Sequence, residues 1–361
     1  MNAAPASGQR RLTQSDVDLI CARHDRLWSG RGGGARAVFS FADLSGLNLS
    51  GADMFEADLR EGAIAAADAE KGLRILEHQV RSGDARGANL SGANLERSRL
   101  SGVVAVKADF SDAILKDAKL VRANLKQCSL GGADLSGADL SGADLSGADL
   151  HDAILVGAKT TMWKVDGADM KGALTDKATG TAVADLPYEK MIRDHARWCE
   201  SAGAYGSPSK FDSADLRALG SLKGLNLTAL SGRAAVFYGL DLEGVQLQGA
   251  QLEGADLRNC NLRRADLRGA RLAGAKLSGS DLREAQLGPL LIAADRLMPA
   301  DLTGAMLKGA DLTRADLRQA RLSGADLSRA NFTNALLKGA DLSDTVRVAV
   351  RGLDWSPLAS S

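Results

Sequence analysis

From Gly132 to Leu150 the chain reads GADLSGADLSGADLSGADL, a five-residue repeat almost without variation. This period excludes the two ordinary ways of burying a leucine. On an α-helix, leucines five apart step round the axis and form no face, and in a simple strand successive leucines fall on opposite sides. The unit is satisfied if each pentad forms one side of a coil and the chain turns a corner between pentads. Ala133 and Leu135 then point inward and Asp134 points out, while Ser136 and Gly137 make the corner, where small residues and positive φ are tolerated.

The same register extends well beyond this stretch. Early inward slots hold Leu44, Leu49, Met54, Leu59 and Ile64. From Leu90 to Leu155 there are 14 slots, filled by Leu or Phe except at Ala105, and Leu135, Leu140, Leu145 and Leu150 form their most regular ladder. The pattern decays at Thr160 and Val165. Trp163 falls in the Ala slot, and an indole does not fit between coils ~4.8 Å apart. The wall is expected to bulge or end there, with Met162 and Trp163 closing the lower end of the core and Met170 in a last irregular coil. Leu227 to Leu342 supplies 24 further slots in unbroken phase, among them Leu257, Leu262 and Leu267. Within that run Pro289 and Pro299 frame two odd pentads, in which Leu290 replaces Ala and Asp295 falls in an inward slot. An unpaired inward carboxylate is costly, so these pentads are expected to loop out or bulge.

These A(D/N)LxG units resemble the pentapeptide-repeat family. The resemblance implies an all-β solenoid, a right-handed quadrilateral β-helix with four pentads per coil. Residues twenty apart would then stack on one face, where like charges are unfavourable. Lys119, Asp139 and Lys159 alternate in sign at that spacing; Asp256, Lys276, Arg296 and Asp316 do so with one like-charged pair.

Helical spacing appears where the pentads stop. Residues 1–34 read as a mobile tail to residue 12 and a capping helix, with Ser15 as N-cap and Val17, Ile20, His24, Leu27 and Trp28 on its apolar side. A first β-helix is expected over 35–176. It is interrupted between Ile64 and Leu90, where Asp68, Leu73, Leu76 and Gly83 suggest a helical insertion near 68–81, or else a degenerate bulged coil. Residues 177–210 form a linker and second capping helix opened by Pro187, with Tyr188, Met191, Ile192, His195, Trp198 and Cys199 on its apolar side. A second β-helix covers 211–350 and a tail 351–361. The second half echoes the first: His24-Asp-Arg-Leu-Trp28 resembles His195-Ala-Arg-Trp198, and Gly46-Leu-Asn-Leu49 resembles Gly224-Leu-Asn-Leu227. The chain thus reads as two tandem β-helices, each preceded by a short capping α-helix. After Asp344, Val346, Val348 and Val350 alternate like a single strand. With Leu353 and Trp355 it either caps its own core or pairs with another copy, and the resemblance implies homodimerisation through the C-terminal end.

Chemistry is sparse. His24, His78, His151 and His195 lack metal-ligand spacing, and no phosphate-binding or nucleophile motif occurs, so no catalytic, cofactor or metal residue is assigned. Cys128 and Cys260 take the inward Ala slot and Cys21 and Cys199 stand apart, which reads as buried or isolated thiols. Basic and acidic residues are 45 each, which gives no net charge to steer the chain to nucleic acid or an anionic membrane. No apolar run reaches signal-peptide or membrane length, and a soluble, cytoplasmic protein is expected. Asp134, Asp139, Asp144, Asp149 and Asp152 read as a solvated wall divided over several sides. Arg258, Arg263, Arg264, Arg268 and Arg271 ring one region and could meet an acidic partner, without the aromatic interleaving that base recognition needs.

The reading is a non-enzymatic interaction scaffold with an unidentified protein partner. Contacts are expected where regularity fails: Leu73, Leu76, Met162, Trp163, Pro289, Pro299 and Trp355. Two alternatives stay open. The resemblance implies a duplex-DNA mimic that binds DNA gyrase or topoisomerase IV, although residues 35–175 carry 16 basic and 20 acidic residues, a net −4, and 211–345 carry 17 and 16, a net +1. The other alternative is a self-assembling structural protein.

Overall fold

The computed structural model describes residues 10–28, 32–35, 37–39, 42–44, 47–49 and 89–353. The chain divides into two compact units, one spanning Ala3–Lys177 and the other containing Ala178–Ser361.

The pentad explains its own geometry. Within each corner the Ala N–H donates to the Leu carbonyl three residues earlier, as Ala138 does to Leu135 at 3.0 Å. The residue before that Ala takes positive φ: 67° at Gly137, but also 55° at Arg122 and 58° at Lys107. The corner is therefore a turn with a left-handed third residue, and it accepts side chains other than glycine. The outward Asp or Asn adds a bond that spacing alone did not reveal. Its Oδ1 accepts the N–H two residues on, at 3.1 Å from Ser141 to Asp139 and 3.0 Å from Glu96 to Asn94. This Asx-type closure is why the second pentad position is so often Asp or Asn.

Coils join by parallel bridges at a step of twenty residues, with four bridge positions per coil: Asn89↔Asp109, Asn94↔Ile114, Arg99↔Lys119 and Val104↔Asn124. The inward Leu N–H donates to the coil below, Leu140 to the Lys159 carbonyl at 2.8 Å. Leu135, Leu140, Leu145 and Leu150 are fully buried, as are Leu262 and Leu267, with Leu257 at 1% exposure. No single coil can offset the entropy of ordering it, so stability comes from the stack.

In the first unit, β1 (Arg10–Arg11) pairs in parallel with β2 (Ala42–Asp43), and α1 (Gln14–Trp28) lies between them in the chain. Two expectations are corrected here. The segment up to residue 12 is not all tail, because β1 occupies the edge of the first coil and Leu12 is buried. The N-cap is Thr13, not Ser15: the Asp16 N–H donates to Thr13 Oγ1 at 3.2 Å and the Thr13 N–H to Asp16 Oδ2 at 2.9 Å. That reciprocal pair needs an acid three residues after the cap, and Leu12 and Val17 flank it as a hydrophobic staple. Asn48 bridges Asn94, 46 residues away in place of the usual twenty. The helix expected at 68–81, with Leu73 and Leu76, falls in that segment and lies outside the described residues.

The lower end of this ladder also differs from expectation. Bridges continue through Asp144↔Lys164, Asp149↔Asp169 and Ile154↔Leu174, so one more full coil follows Leu155. Trp163 keeps its inward slot because it belongs to that last coil, and it packs partly buried against the core together with Met170. Met162 sits at a left-handed corner and is 82% exposed, so it does not close the core.

In the second unit, β3 (Thr181–Ala182) pairs in parallel with β4 (Ala214–Asp215), and α2 (Tyr188–Glu200) lies between them with Pro187 as its N-cap residue. The stretch expected as a linker thus contains a strand. Tyr188, Met191 and Ile192 pack against the core. His195 is fully buried and its Nδ1 accepts the Ser209 N–H at 2.8 Å; His24 is fully buried in the first unit, with the Ala37 N–H at the same 2.8 Å. Burial holds His195 below its ordinary pKa, partly offset by the Thr228 backbone, so it stays neutral and serves as an acceptor.

At the C-terminal end the segment read as one strand is a further coil. Val346 bridges Asp326 and Arg351 bridges Asn331. Arg347 takes an inward slot there, and its guanidinium donates to the Leu342 carbonyl and Thr345 Oγ1. Trp355 lies outside the described residues.

Cys128 and Cys260 fill Ala slots at 1% exposure, and their thiols donate to the Ala105 and Phe237 carbonyls at 2.6 and 3.0 Å. Burial pushes Cys128 up to about 12, and Cys260 also rises. Because the thiolate is the reactive form, both are expected to escape alkylation until the protein unfolds. Native-state labelling followed by peptide mass spectrometry checks this, and rapid modification of either would contradict it.

Candidate interaction site

The largest break in the second ladder is a β-hairpin; a smaller one, a single extra residue, lengthens the first step to twenty-one at Lys210↔Ser231 and Asp215↔Val236. β5 (Leu290–Ala293) pairs antiparallel with β6 (Arg296–Met298) in the register Leu290↔Met298 and Leu291↔Leu297. Across it the bridge step lengthens from twenty to thirty residues, as in Arg271↔Asp301 and Gln286↔Asp316, and returns to twenty at Asp301↔Arg321. The insertion is therefore ten residues, two whole pentads, which is why the leucine phase survives in the sequence. Pro289 and Pro299 stand at its two ends. The like-charged stacking pair expected at Lys276 and Arg296 disappears, because Lys276 bridges Met306 and Arg296 leaves the ladder with β6.

The hairpin is held by its base. A Cβ added at Gly269 would lie 2.8 Å from Leu290 Cβ and 2.9 Å from Met298 Cε, and one at Gly249, one coil away in the same corner column, 3.5 Å from Met298 Cε. Two stacked glycines thus leave the track on which Leu290 and Met298 rest. The other apolar residues face solvent: Leu291 is 63% exposed, Ile292 43% and Leu297 49%. Beside the base, a cleft of about 280 Å³ is lined by Arg268, Gln286, Pro289, Asp316 and Arg318.

The charges around this cleft correct the expected basic ring. In every Asp-Leu-Arg pentad among the described residues the arginine turns back on its own aspartate. Arg268 donates to Asp266 from Nε at 2.9 Å and from Nη2 at 2.6 Å, and Arg318 donates to Asp316 at 2.9 and 2.7 Å. Asp215–Arg217, Asp256–Arg258 and Asp281–Arg283 repeat the clamp. The Arg318 side chain holds Asp316 below the usual carboxylate range. At Asp215 burial pushes the carboxyl up, and the Arg217 side chain and the Thr179 and Arg217 N–H groups outweigh it. Arg264 and Arg271 are also engaged, with Glu284 and Glu253, both at 2.7 Å. The tripeptide D-L-R was the signal for this pairing. In the first unit the residue after Asp134-Leu, Asp139-Leu and Asp144-Leu is serine; Ser146 Oγ donates to Asp144 at 2.6 Å, and the cation on that carboxylate comes from another coil, Lys126 Nζ at 3.2 Å. Among the described residues no group of three or more His, Cys, Asp or Glu could hold a metal ion.

The repeats themselves decide the family. Eight copies of the pentapeptide repeat pattern match residues 35–63, 84–117, 118–157, 246–283, 297–334 and 325–346. This chain is a pentapeptide repeat protein. The family fold is the right-handed β-helix, and the twenty-residue bridge step of both units agrees with it. Among solved structures, this pentapeptide repeat protein is similar to HetL of the cyanobacterium Nostoc sp. strain PCC 7120, involved in heterocyst differentiation regulation, at 24% identity over 92% of this chain and 93% of that one, TM-score 0.28. A pentapeptide repeat protein of Cyanothece 51142 is 27% identical over 44% and 99%, TM-score 0.30. QnrB1, a plasmid-mediated fluoroquinolone resistance protein, is 15% identical over 72% and 91%, TM-score 0.23. No curated protein matches. Among the described residues, no helix is long and apolar enough to cross a membrane.

Proposed function

We propose that this pentapeptide repeat protein is a non-enzymatic scaffold that presents the 290–298 hairpin of its second unit to a protein partner. The observation that carries the reading is the solvent-facing apolar trio Leu291, Ile292 and Leu297, raised on a two-stranded hairpin beside the paired charges Asp266–Arg268 and Asp316–Arg318. Irregular segments on a rigid frame are where binding surfaces concentrate. Duplex-DNA mimicry has less support, because it needs unneutralised carboxylates, whereas five aspartates of the second unit are clamped by their own arginines and Glu243, Glu253 and Glu284 pair with basic residues of other coils. The chain is further read as a tandem duplication, since strand, helix, buried acceptor histidine and paired strand recur in the same order. Four free cysteines fit a reducing, cytoplasmic compartment.

The test follows from the ten-residue bookkeeping. Excising residues 290–299 and replacing Pro289 by Gly restores the twenty-residue step and the left-handed corner. The variant is expected to melt cooperatively within a few degrees of wild type and to lose the partner that the full chain captures from its native lysate. An unchanged set of captured proteins would overturn the hairpin reading.

A further inference from the structure

The first unit has no large excess of charge, yet its charge is sorted between opposite walls. With four bridge positions per twenty-residue coil, columns ten residues apart lie on opposite sides. One column runs Arg99, Lys119, Asp139, Lys159. The column opposite runs Asn89, Asp109, Ser129, Asp149, Asp169. Arg99, Lys119, Lys159 and Asp169 are exposed, and Asp109, Asp139 and Asp149 are partly so. The corners carry both signs, with Arg97, Arg122 and Asp117 beside the basic column and Asp112, Asp152, Lys107 and Lys171 beside the acidic one, where His151 Nδ1 also lies 2.6 Å from Asp149, so the contrast rests on the columns themselves.

We infer that these two walls bind each other in separate copies of the chain, side by side and antiparallel. Antiparallel order sets Arg99 against Asp169, Lys119 against Asp149, Asp139 against the Ser129 hydroxyl and Lys159 against Asp109. Every position of the basic column is then complementary, including its one acid, which meets a neutral donor in the acidic column. Parallel order does less well: in one register Asp139 faces Asp149 and Lys119 meets only Ser129, and shifted by one coil it keeps two charge pairs, Lys119 with Asp109 and Lys159 with Asp149, and sets Arg99 against the neutral Asn89. A second copy is the occupant that the geometry favours over an unrelated partner. Two β-helices of the same rise, ~4.8 Å per coil, keep successive charges in step along the whole contact. Electrostatic complementarity of this kind sets register and partner choice. The contact is heterologous, so each copy leaves one wall open and association continues beyond a dimer.

Sedimentation velocity of the full chain tests the inference. Wild type is expected to form species larger than a monomer at about 0.02 M salt and to become monomeric at about 0.5 M, where the Debye length falls to a few ångströms. Reversing the basic wall (Lys119→Glu with Lys159→Glu) or the acidic wall (Asp109→Lys with Asp149→Lys) is expected to weaken low-salt association at least about tenfold. An equimolar mixture of the two variants restores it, because each then carries what the other's wall requires. Lysines and aspartates already occupy these bridge positions in neighbouring coils, so the substitutions suit the fold. If a reversal variant fails to melt cooperatively, Lys119→Gln with Lys159→Gln replaces it and is expected to weaken association in the same direction. A wild type monomeric at low salt, a variant that associates like wild type, or a mixture that stays dissociated would each overturn the proposal.

Discussion

Replacing Leu140 by Asp is expected to abolish cooperative folding of the first unit, whereas Asp139→Asn, one residue away, leaves its melting temperature nearly unchanged. Leu140 is fully buried and its N–H ties its coil to the next through the Lys159 carbonyl. Truncating a buried leucine alone costs about 2–5 kcal/mol. An unpartnered carboxylate in the same slot adds several more, against a total stability of about 5–15 kcal/mol for a typical domain. Because each coil is held only by its neighbours, the damage spreads to both sides. Asp139 lies outside the core, and its contribution is the Oδ1 that accepts the Ser141 N–H. Asparagine keeps that acceptor, as Asn94 does with Glu96. What Asn loses is charge. The Ser141 hydroxyl and N–H hold the Asp139 pKa below its ordinary 3.8, so this group stabilises the fold above that pH and the effect is lost as pH falls through the lowered folded value. The small difference between Asp139→Asn and wild type is therefore expected at neutral pH and should vanish in acid. Thermal melts by circular dichroism decide the comparison, and equal losses for the two substitutions would contradict the ladder argument.

Much of this architecture is legible in the sequence because a solenoid repeats one local solution. The inward slots, the corners and the buried Cys128 and Cys260 follow from the five-residue period alone. The capping helices follow from a change of period, and the odd pentads between Pro289 and Pro299 from a carboxylate where none belongs. What period could not show is bonding within a pentad. The Asx closure and the Asp-Leu-Arg clamp arise two residues apart in the chain, and no face-counting argument detects them. Counting charge by composition therefore overstated the free cations near Arg258 and Arg268. Edge pairing was equally hidden: Arg10–Arg11 and Thr181–Ala182 carry no strand pattern, and they pair because the first coil of each ladder leaves an open backbone edge. At the other end of the first ladder the misreading was one of context. Trp163 is too large for an Ala slot between two coils, but it lies in the ladder's last coil, where its indole is only partly buried.

The clamp also allows one bond geometry to be compared at two depths. In Asp256–Arg258 the side chains are 9% and 4% exposed with a 2.6 Å contact; in Asp316–Arg318 they are 23% and 56% exposed with a 2.7 Å contact. Arg318→Leu is expected to leave stability nearly unchanged, because water replaces the guanidinium and the exposed pair was weak from the start. Arg258→Leu is expected to cost about 3–5 kcal/mol, because it strands the Asp256 carboxylate in a site water reaches poorly. Leucine retains much of the arginine's aliphatic stem, so lost packing contributes little to the contrast. Urea unfolding of the two single variants measures it. The double variant Asp256→Asn with Arg258→Leu separates charge from shape. Its neutral amide still accepts the backbone N–H of residue 258, which the carboxylate takes at 3.2 Å, so most of the lost stability is expected to return. Equal costs at positions 258 and 318, or a double variant no better than Arg258→Leu, would mean that burial does not set the strength of these clamps.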